Sequence, residues 1–416
     1  MSLFVQKYGG TSVGSIDRIN AVADRIIHTL QQGHKVVAVV SAMSGETNRL
    51  IDLAHQLEPN PSSRELDMLV TTGEQVSAAM LSMALMAKGY PAISLLADQI
   101  GIRTDSQFGK ARIQSIKTDV INEHIEHGRI VIAAGFQGRD AENNVTSLGR
   151  GGTDTTAVAL AAAIGAEECQ IFTDVDGVYT TDPRIEPKAK KLKTVLFDEM
   201  IEMASLGAKV LQKRSVELAG KYQVKLRVLS SFEPLVEKYD LAGTLITYEE
   251  NELEQLLVSG IACTKDEAII SLSGLDPTTV LPADVLHAVA ECNIEVDMIV
   301  QAMNHDKSHN KLDFAFTVAE SDYEQTMTAI HQLLQENQNI SIDNVQGHKS
   351  VAKISVVGVG MRSHAGVASR VLKTLAKEHI PIELISTSEI KVSVLIESKY
   401  MELAVRTLHQ AFELHT

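Results

Sequence analysis

The hydropathy pattern of this chain changes character once, and that change limits what it can fold into. As far as residue 248, short apolar runs alternate with longer amphipathic stretches. Runs at 3–7, 35–41, 92–96, 129–134 and 169–173 have strand length, while 16–32, 64–88, 112–127 and 153–164 carry a helical period. Gly33, Gly89, Gly128 and Gly165 punctuate the junctions. This alternation predicts an α/β unit with a mainly parallel sheet and helices on both faces. Ligands of such sheets collect beyond the carboxyl ends of the strands.

The acidic segment EENELE, at 249–254, breaks the alternation and reads as a linker. Beyond it, 265–345 reads β-α-β-β-α-β, and 351–412 begins the same way. CNIEVDMIVQ and HIPIELISTSE hold matching places, so this is an internal repeat. The second copy runs out of chain before its last strand, and 255–263 is expected to supply it. The expected units are therefore 1–248, then 264–347, then a discontinuous unit of 255–263 with 348–416.

Composition narrows the function. A net charge of −15 over 416 residues disfavours a body that binds nucleic acid, whose phosphates recruit basic surface. Cys169, Cys263 and Cys292 are widely spaced, which points to reduced thiols rather than disulfides or zinc. Neither a signal peptide nor a membrane-length apolar run is visible, so the expected location is the cytoplasm.

Two glycine-rich loops and a third, acidic one carry candidate chemistry. In LFVQKYGGTSVGS, Gly9 and Gly10 come after a strand, with Thr11 and Ser12 able to cap the next helix. Paired glycines let backbone amides approach an anion, and Lys7 stands at the strand end. An ordinary strand-to-helix turn accounts for the same residues. In SLGRGGTDTTAVAL, three glycines surround Arg150, and Thr153 or Asp154 is a natural N-cap. FTDVDGVYTTDPR supplies Asp174 and Asp176, two oxygen donors that suit either a metal or a surface turn. VVSAMSGETNRL brings Ser41 and Thr47 to a further strand end. LVTTGEQVS sets Glu74 in an apolar helical stretch, where a carboxylate needs a cationic partner. The P-loop order, with lysine after the glycines, is absent.

Taken in order, KYGGTSVGS, VSAMSGETN, TTGEQVS, GFQG, SLGRGGTDTTA, TDVDGVYTTDPR, GAKVLQKRSVE and IELISTSE resemble the aspartate kinases along essentially the whole chain. The resemblance implies a three-layer αβα amino-acid-kinase domain followed by two ferredoxin-like βαββαβ ACT units. It implies phosphoryl transfer from Mg-ATP to the side-chain carboxylate of L-aspartate, the opening step toward lysine, threonine and methionine. It also implies feedback by threonine or lysine and a homodimer or larger assembly through the ACT units.

Residue by residue, Lys7 resembles the lysine that bridges substrate carboxylate and transferring phosphate, and Asp154 the carboxylate that orients it. Ser41, Thr47, Glu74, Arg150 and Thr153 resemble the aspartate pocket. Gly9, Gly10, Thr11, Ser12, Thr173, Asp174, Tyr179, Arg184 and Lys209 resemble the ATP site, together with Lys7. Asp297, Gln301, Gly366, Val367, Ser386, Thr387 and Glu389 fall at the regulatory positions. No protein ligand for Mg²⁺ is assigned. The departures are mild at the site, where Tyr8, Thr153 and LQKRS stand for commoner alternatives. They are larger in the effector loops GLDPTTVLPADV and SHAGV, which leave the effector's identity open. A kinase of the same fold acting on glutamate or acetylglutamate, and a catalytically silent amino-acid sensor, are the rival readings.

Overall fold

A computed structural model describes residues 2–205, 210–235, 242–248, 258–275, 282–305, 310–336, 344–361 and 366–416. Its elements begin β1 (Leu3–Tyr8), α1 (Ile16–Gln31), β2 (Lys35–Val40), α2 (Glu46–Leu57), α3 (Ser63–Val70) and α4 (Thr72–Ala87). They continue β3 (Ala92–Leu95), α5 (Ala97–Ile100), β4 (Arg103–Thr104), β5 (Ile113–Ser115), α6 (Asp119–Glu126), β6 (Ile130–Ala134), β7 (Gln137–Arg139) and β8 (Val145–Ser147). Then come α7 (Gly152–Ala163), β9 (Glu168–Thr173), β10 (Thr194–Leu196), α8 (Phe197–Ser205), α9 (Lys213–Tyr222), β11 (Leu226–Ser230) and β12 (Thr244–Thr247).

These strands form an eight-stranded sheet in the order β10-β12-β11-β9-β1-β2-β6-β3, parallel except where β11 meets β12. A small sheet, β5-β4-β7-β8, stands apart from it. Side-chain alternation divides the two faces of the large sheet. Tyr8, Val36, Ala38, Val40, Ile130 and Ile132 pack against Ile19, Val22 and Ile26 of α1 and Leu81 and Leu85 of α4. Lys7, one residue before Tyr8, points to the other face, which α7 covers. That helix is apolar nearly all round and is buried along almost its whole length, as such a helix must be.

The second part of the chain comprises β13 (Gly260–Leu275), α10 (Pro282–Glu291), β14 (Ile299–His305), β15 (Asn310–Ala319), α11 (Tyr323–Glu336) and β16 (Asn344–Val357). It ends with α12 (Val367–Lys377), β17 (Leu384–Thr387), β18 (Lys391–Glu397) and α13 (Met401–Ala411). All six strands lie in one antiparallel sheet, β14-β15-β13-β16-β18-β17. β13 and β16 are long because each serves both repeats. Gly260–Thr264 pairs with Val357–Lys353, and after a register shift Ile269–Ser273 pairs with His348–Asn344. Each repeat keeps its own apolar core, one around Phe314, Phe316 and Ile330 and one around Ile354, Val371 and Leu408.

The chain separates into two compact units, and one segment does not follow chain order. Thr180–Lys190 groups with the second unit, although the residues on either side belong to the first. Within the second unit, Ile261 N–H donates to Thr180 O (2.7 Å) and Arg406 Nε donates to Ile185 O (2.8 Å). No helix among the described residues is long and apolar enough to cross a membrane.

Local structure departs from the expected pattern in several places. The helix expected over 64–88 is two helices, separated where the Thr71 hydroxyl donates to Asp67 O (2.9 Å). The stretch 112–127 becomes helical only at Asp119, because Ile113–Ser115 pairs with β4. Thr11 and Ser12 do not cap α1. Ser15 does, accepting from Arg18 N–H (3.2 Å). Thr153 and Asp154 are not the cap of α7 either; Gly151 holds that position at φ +72°, and both residues lie in the first helical turn.

Candidate active site

The strand ends β1 and β2, the loop before α7 and the first turn of α4 enclose a cleft of about 340 Å³. Lys7, Gly10, Ser41, Thr47, Glu74, Arg150, Thr153 and Asp154 all line it. Residues from four separate motifs thus meet in one place, and all of them belong to the first unit.

Lys7 Nζ lies 2.6 Å from Asp154 Oδ1, with both side chains about nine-tenths buried. The contact is an ion pair without a directed hydrogen bond, and that Asp154 oxygen is otherwise buried without a partner. Removing one member of such a pair strands a charge. The N-terminal turn of α7 points its backbone dipole at the same cleft, which favours a bound anion.

Glu74 sits opposite in chemical character. Its Oε1 accepts from Ala42 N–H (3.0 Å), whereas Oε2 is buried without a hydrogen-bond partner. Burial pushes the carboxyl up to about 7, against the lowering effect of the Ala42 amide. Gly73 permits this geometry: a Cβ there would meet Ala42 Cβ at 2.7 Å, so only glycine lets the first turn of α4 approach the β2 loop. A buried, half-satisfied carboxylate at the wall of a cleft has an oxygen left to meet a donor. Arg150, itself exposed, lines the cleft and offers a planar fork for a carboxylate.

The residues expected to hold a nucleotide are placed less uniformly. Gly9 N–H donates to Phe172 O (3.2 Å), so this amide is already committed. Ser12 Oγ donates to Ser231 Oγ (2.8 Å), which in turn donates to Thr173 O (3.1 Å). Arg18 adds a bond to Ser231 O (2.6 Å). The glycine turn, the end of β9 and the end of β11 are thereby joined. Thr11 lies in that turn and does not line the cleft. Thr173 Oγ1 donates to Asp174 Oδ1 (3.1 Å). Tyr179 Oη donates to Asp176 (3.0 Å), and Lys191 pairs with the same carboxylate (2.9 Å). Arg184 groups with the second unit, is largely exposed and clamps Asp182 at 2.6 Å. Lys209 lies outside the described residues.

The regulatory positions divide between the two repeats. Asp297 is ion-paired to Lys353, and Gln301 lies on edge strand β14. Gly366 caps α12 at φ +119° and Val367 is buried beneath it. Ser386 and Thr387 lie on β17, the opposite edge, and Glu389 O accepts from Met361 N–H (2.9 Å).

Four residues of the quoted motifs to which no role is assigned, Met43, Ser44, Phe136 and Gln212, also line the cleft. Phe136 carries a mark of its own, a φ of +69° in a residue that is not glycine.

A sequence model of the amino acid kinase family matches residues 2–230, and an ACT domain model matches 354–412. The aspartokinase of Pseudomonas aeruginosa is 55% identical over 416 residues, which is 100% of this chain and 98% of that protein. Among solved structures, E. coli aspartokinase III in complex with aspartate and ADP superposes with a TM-score of 0.76 at 26% identity, covering 98% of this chain and 99% of that one. The same enzyme in complex with lysine and aspartate gives a TM-score of 0.74 at 25% identity over 99% of both chains.

Proposed function

The chain belongs to the amino acid kinase family and within it to the aspartokinases, and from that premise we propose that it moves the γ-phosphoryl group of Mg-ATP onto the side-chain carboxylate of L-aspartate. The product is 4-phospho-L-aspartate. The observation that carries this reading is the set of charges around one cleft: the Lys7–Asp154 pair, the half-satisfied Glu74 and the forked Arg150.

Aspartate has two carboxylates and one ammonium, and the cleft offers a partner to each. Glu74 Oε2 takes the ammonium. Arg150 takes the α-carboxylate, with Ser41, Thr47 and Thr153 completing the pocket wall. The β-carboxylate has an ordinary pKa of about 3.9 and is already a nucleophile at neutral pH. No general base is required. One β-carboxylate oxygen forms the new bond to γ-phosphorus as the bond to the β–γ bridging oxygen breaks, and its electron pair leaves with ADP. What opposes the step is repulsion between anion and polyanion, so catalysis is positioning and charge neutralisation.

Lys7, oriented by Asp154, supplies the positive charge between the attacking and transferring groups. With the Gly9 amide bonded to Phe172 O and the Ser12 amide to Gly9 O, the phosphate cradle would begin at Gly10, Thr11 and the α7 N-terminus would extend it, and Ser12 would hold the turn through Ser231. Thr173, Asp174, Tyr179, Arg184 and Lys209 would flank the nucleotide. Among the described residues no group of three or more His, Cys, Asp or Glu could hold a metal. Mg²⁺ would be held mainly by phosphate oxygens and water, with Asp174, the carboxylate at the end of β9, able to share it. When bound, the ion neutralises phosphate charge.

The two repeats would serve feedback. Lysine appears in the E. coli relative's complex, and lysine or threonine is the proposed effector here, in keeping with a first step toward lysine, threonine and methionine. An effector inhibits only if it binds one conformation better than another. The outer edges of β14 and β17 are where copies of the chain would join.

The test is ATP-dependent acyl-phosphate formation, trapped with hydroxylamine, on aspartate, glutamate and acetylglutamate. Turnover confined to aspartate and reduced by lysine or threonine supports the reading. Turnover of another acid would replace it, and effector binding without any turnover would make the chain a sensor.

A further inference from the structure

The loop that carries Arg150 is held from both sides by two charged residues that do not line the cleft. We propose that Asp67 and Arg214 are positioning residues for the acid substrate, fixing the Ser147–Gly151 loop so that Arg150 meets the substrate carboxylate. The proposal rests on the reading that the acid occupies this cleft.

The geometry is complementary. Asp67, on α3, is 2% exposed. Its carboxylate accepts from Gly109 N–H (2.9 and 3.1 Å), Ser147 N–H (2.7 Å) and the Ser147 hydroxyl (2.6 Å). Arg214, on α9, donates to Leu148 O (2.8 Å) and Ala111 O (2.7 Å). The two segments are also bonded directly, Ala111 N–H to Ser147 O at 2.9 Å. An anion therefore gathers one backbone amide from each segment, and a cation gathers one carbonyl from each. A buried carboxylate bonded this fully, with a half-buried guanidinium bonded beside it, is a rigid support.

The support lies next to the chemistry. Gly149 follows Leu148 directly at φ +74°, and a Cβ there would meet Gly109 O at 2.7 Å. The loop is pressed against the 109–111 segment up to the residue before Arg150. Arg150 itself is exposed, so its own packing cannot hold the fork in place. A displacement of about 1 Å in a positioning group can cost on the order of a hundredfold in rate.

The experiment is steady-state kinetics on the full chain with Asp67→Asn, Arg214→Lys and Ser147→Ala. Asp67→Asn and Arg214→Lys are expected to raise KM for aspartate by about tenfold while KM for ATP stays within about twofold. They should also narrow the preference for aspartate over glutamate. Ser147→Ala removes only the 2.6 Å hydroxyl bond and should raise aspartate KM by about threefold. It carries the test if Asp67→Asn does not fold. Unchanged aspartate KM in the folded variants overturns the positioning role, as does an equal rise in both KM values. A wild type that leaves aspartate untouched overturns the functional reading beneath it instead.

Discussion

Lys7 at the end of β1 and Asp154 in the first turn of α7 form an ion pair with 2.6 Å between Nζ and Oδ1. Two elements far apart in sequence thus deliver opposite charges to one point, on the face of the sheet that α7 covers. Because Asp154 orients a cation that acts on the transferring group, its loss should appear in the chemical step. Asp154→Asn is expected to lower kcat by about a hundredfold with little change in either KM, as measured by initial rates at saturating substrates. A rise in KM alone would place Asp154 in binding instead.

Glu74 makes the enzyme sensitive to pH. Its folded-state carboxyl is raised from the ordinary 4.5 to about 7 by burial. Between those values the folded protein holds a proton that the unfolded chain has lost, so ligand-free stability falls as pH rises through that window. The substrate ammonium, in contrast, needs the ionised form. KM for aspartate should therefore fall as pH rises from about 6 to about 8. Glu74→Gln should flatten the pH dependence of the thermal midpoint while raising aspartate KM. Melting curves and kinetics over that range check both, and an unchanged pH profile in the variant would remove Glu74 from this role.

Gly73→Ala should injure the same subsite through packing. The new Cβ would stand 2.7 Å from Ala42 Cβ, and relieving that overlap moves the first turn of α4. A loss of about 1–3 kcal/mol of stability is expected in denaturant unfolding, with a raised KM for aspartate. Wild-type stability and kinetics would show that the turn has room to spare.

Ser231 provides the matching test on the nucleotide side. Its hydroxyl links Ser12 to Thr173 O and receives Arg18. Ser231→Ala should loosen the glycine turn and raise KM for ATP by about three- to tenfold, leaving aspartate KM near its original value. The reverse pattern would detach this chain of bonds from the nucleotide.

Much of this arrangement is readable before folding because glycine-rich turns after apolar runs have few conformational solutions. Lys7, Glu74, Arg150 and Asp154 are legible as unusual charges beside such turns. Capping is less so, because several hydroxyls compete within a few residues: Ser15 caps α1 where Thr11 and Ser12 were equally suited, and a left-handed Gly151 takes the place of Thr153. Thr71 divides α3 from α4 through a hydroxyl-to-carbonyl bond that leaves no mark in the hydropathy. Long-range relationships are the least visible. Nothing local tells that Thr180–Lys190 groups with the second unit. Likewise, Asp67 and Arg214 acquire meaning only when 109–111 and 147–148 lie side by side.

The most direct test of the account is the turnover of Lys7→Ala with aspartate and ATP both saturating, on protein shown by circular dichroism and melting to be folded. If Lys7 neutralises the charge that develops between carboxylate and phosphate, kcat falls by about a thousandfold or more while the fold is retained. A folded Lys7→Ala protein that turns over at nearly the wild-type rate would contradict the mechanism.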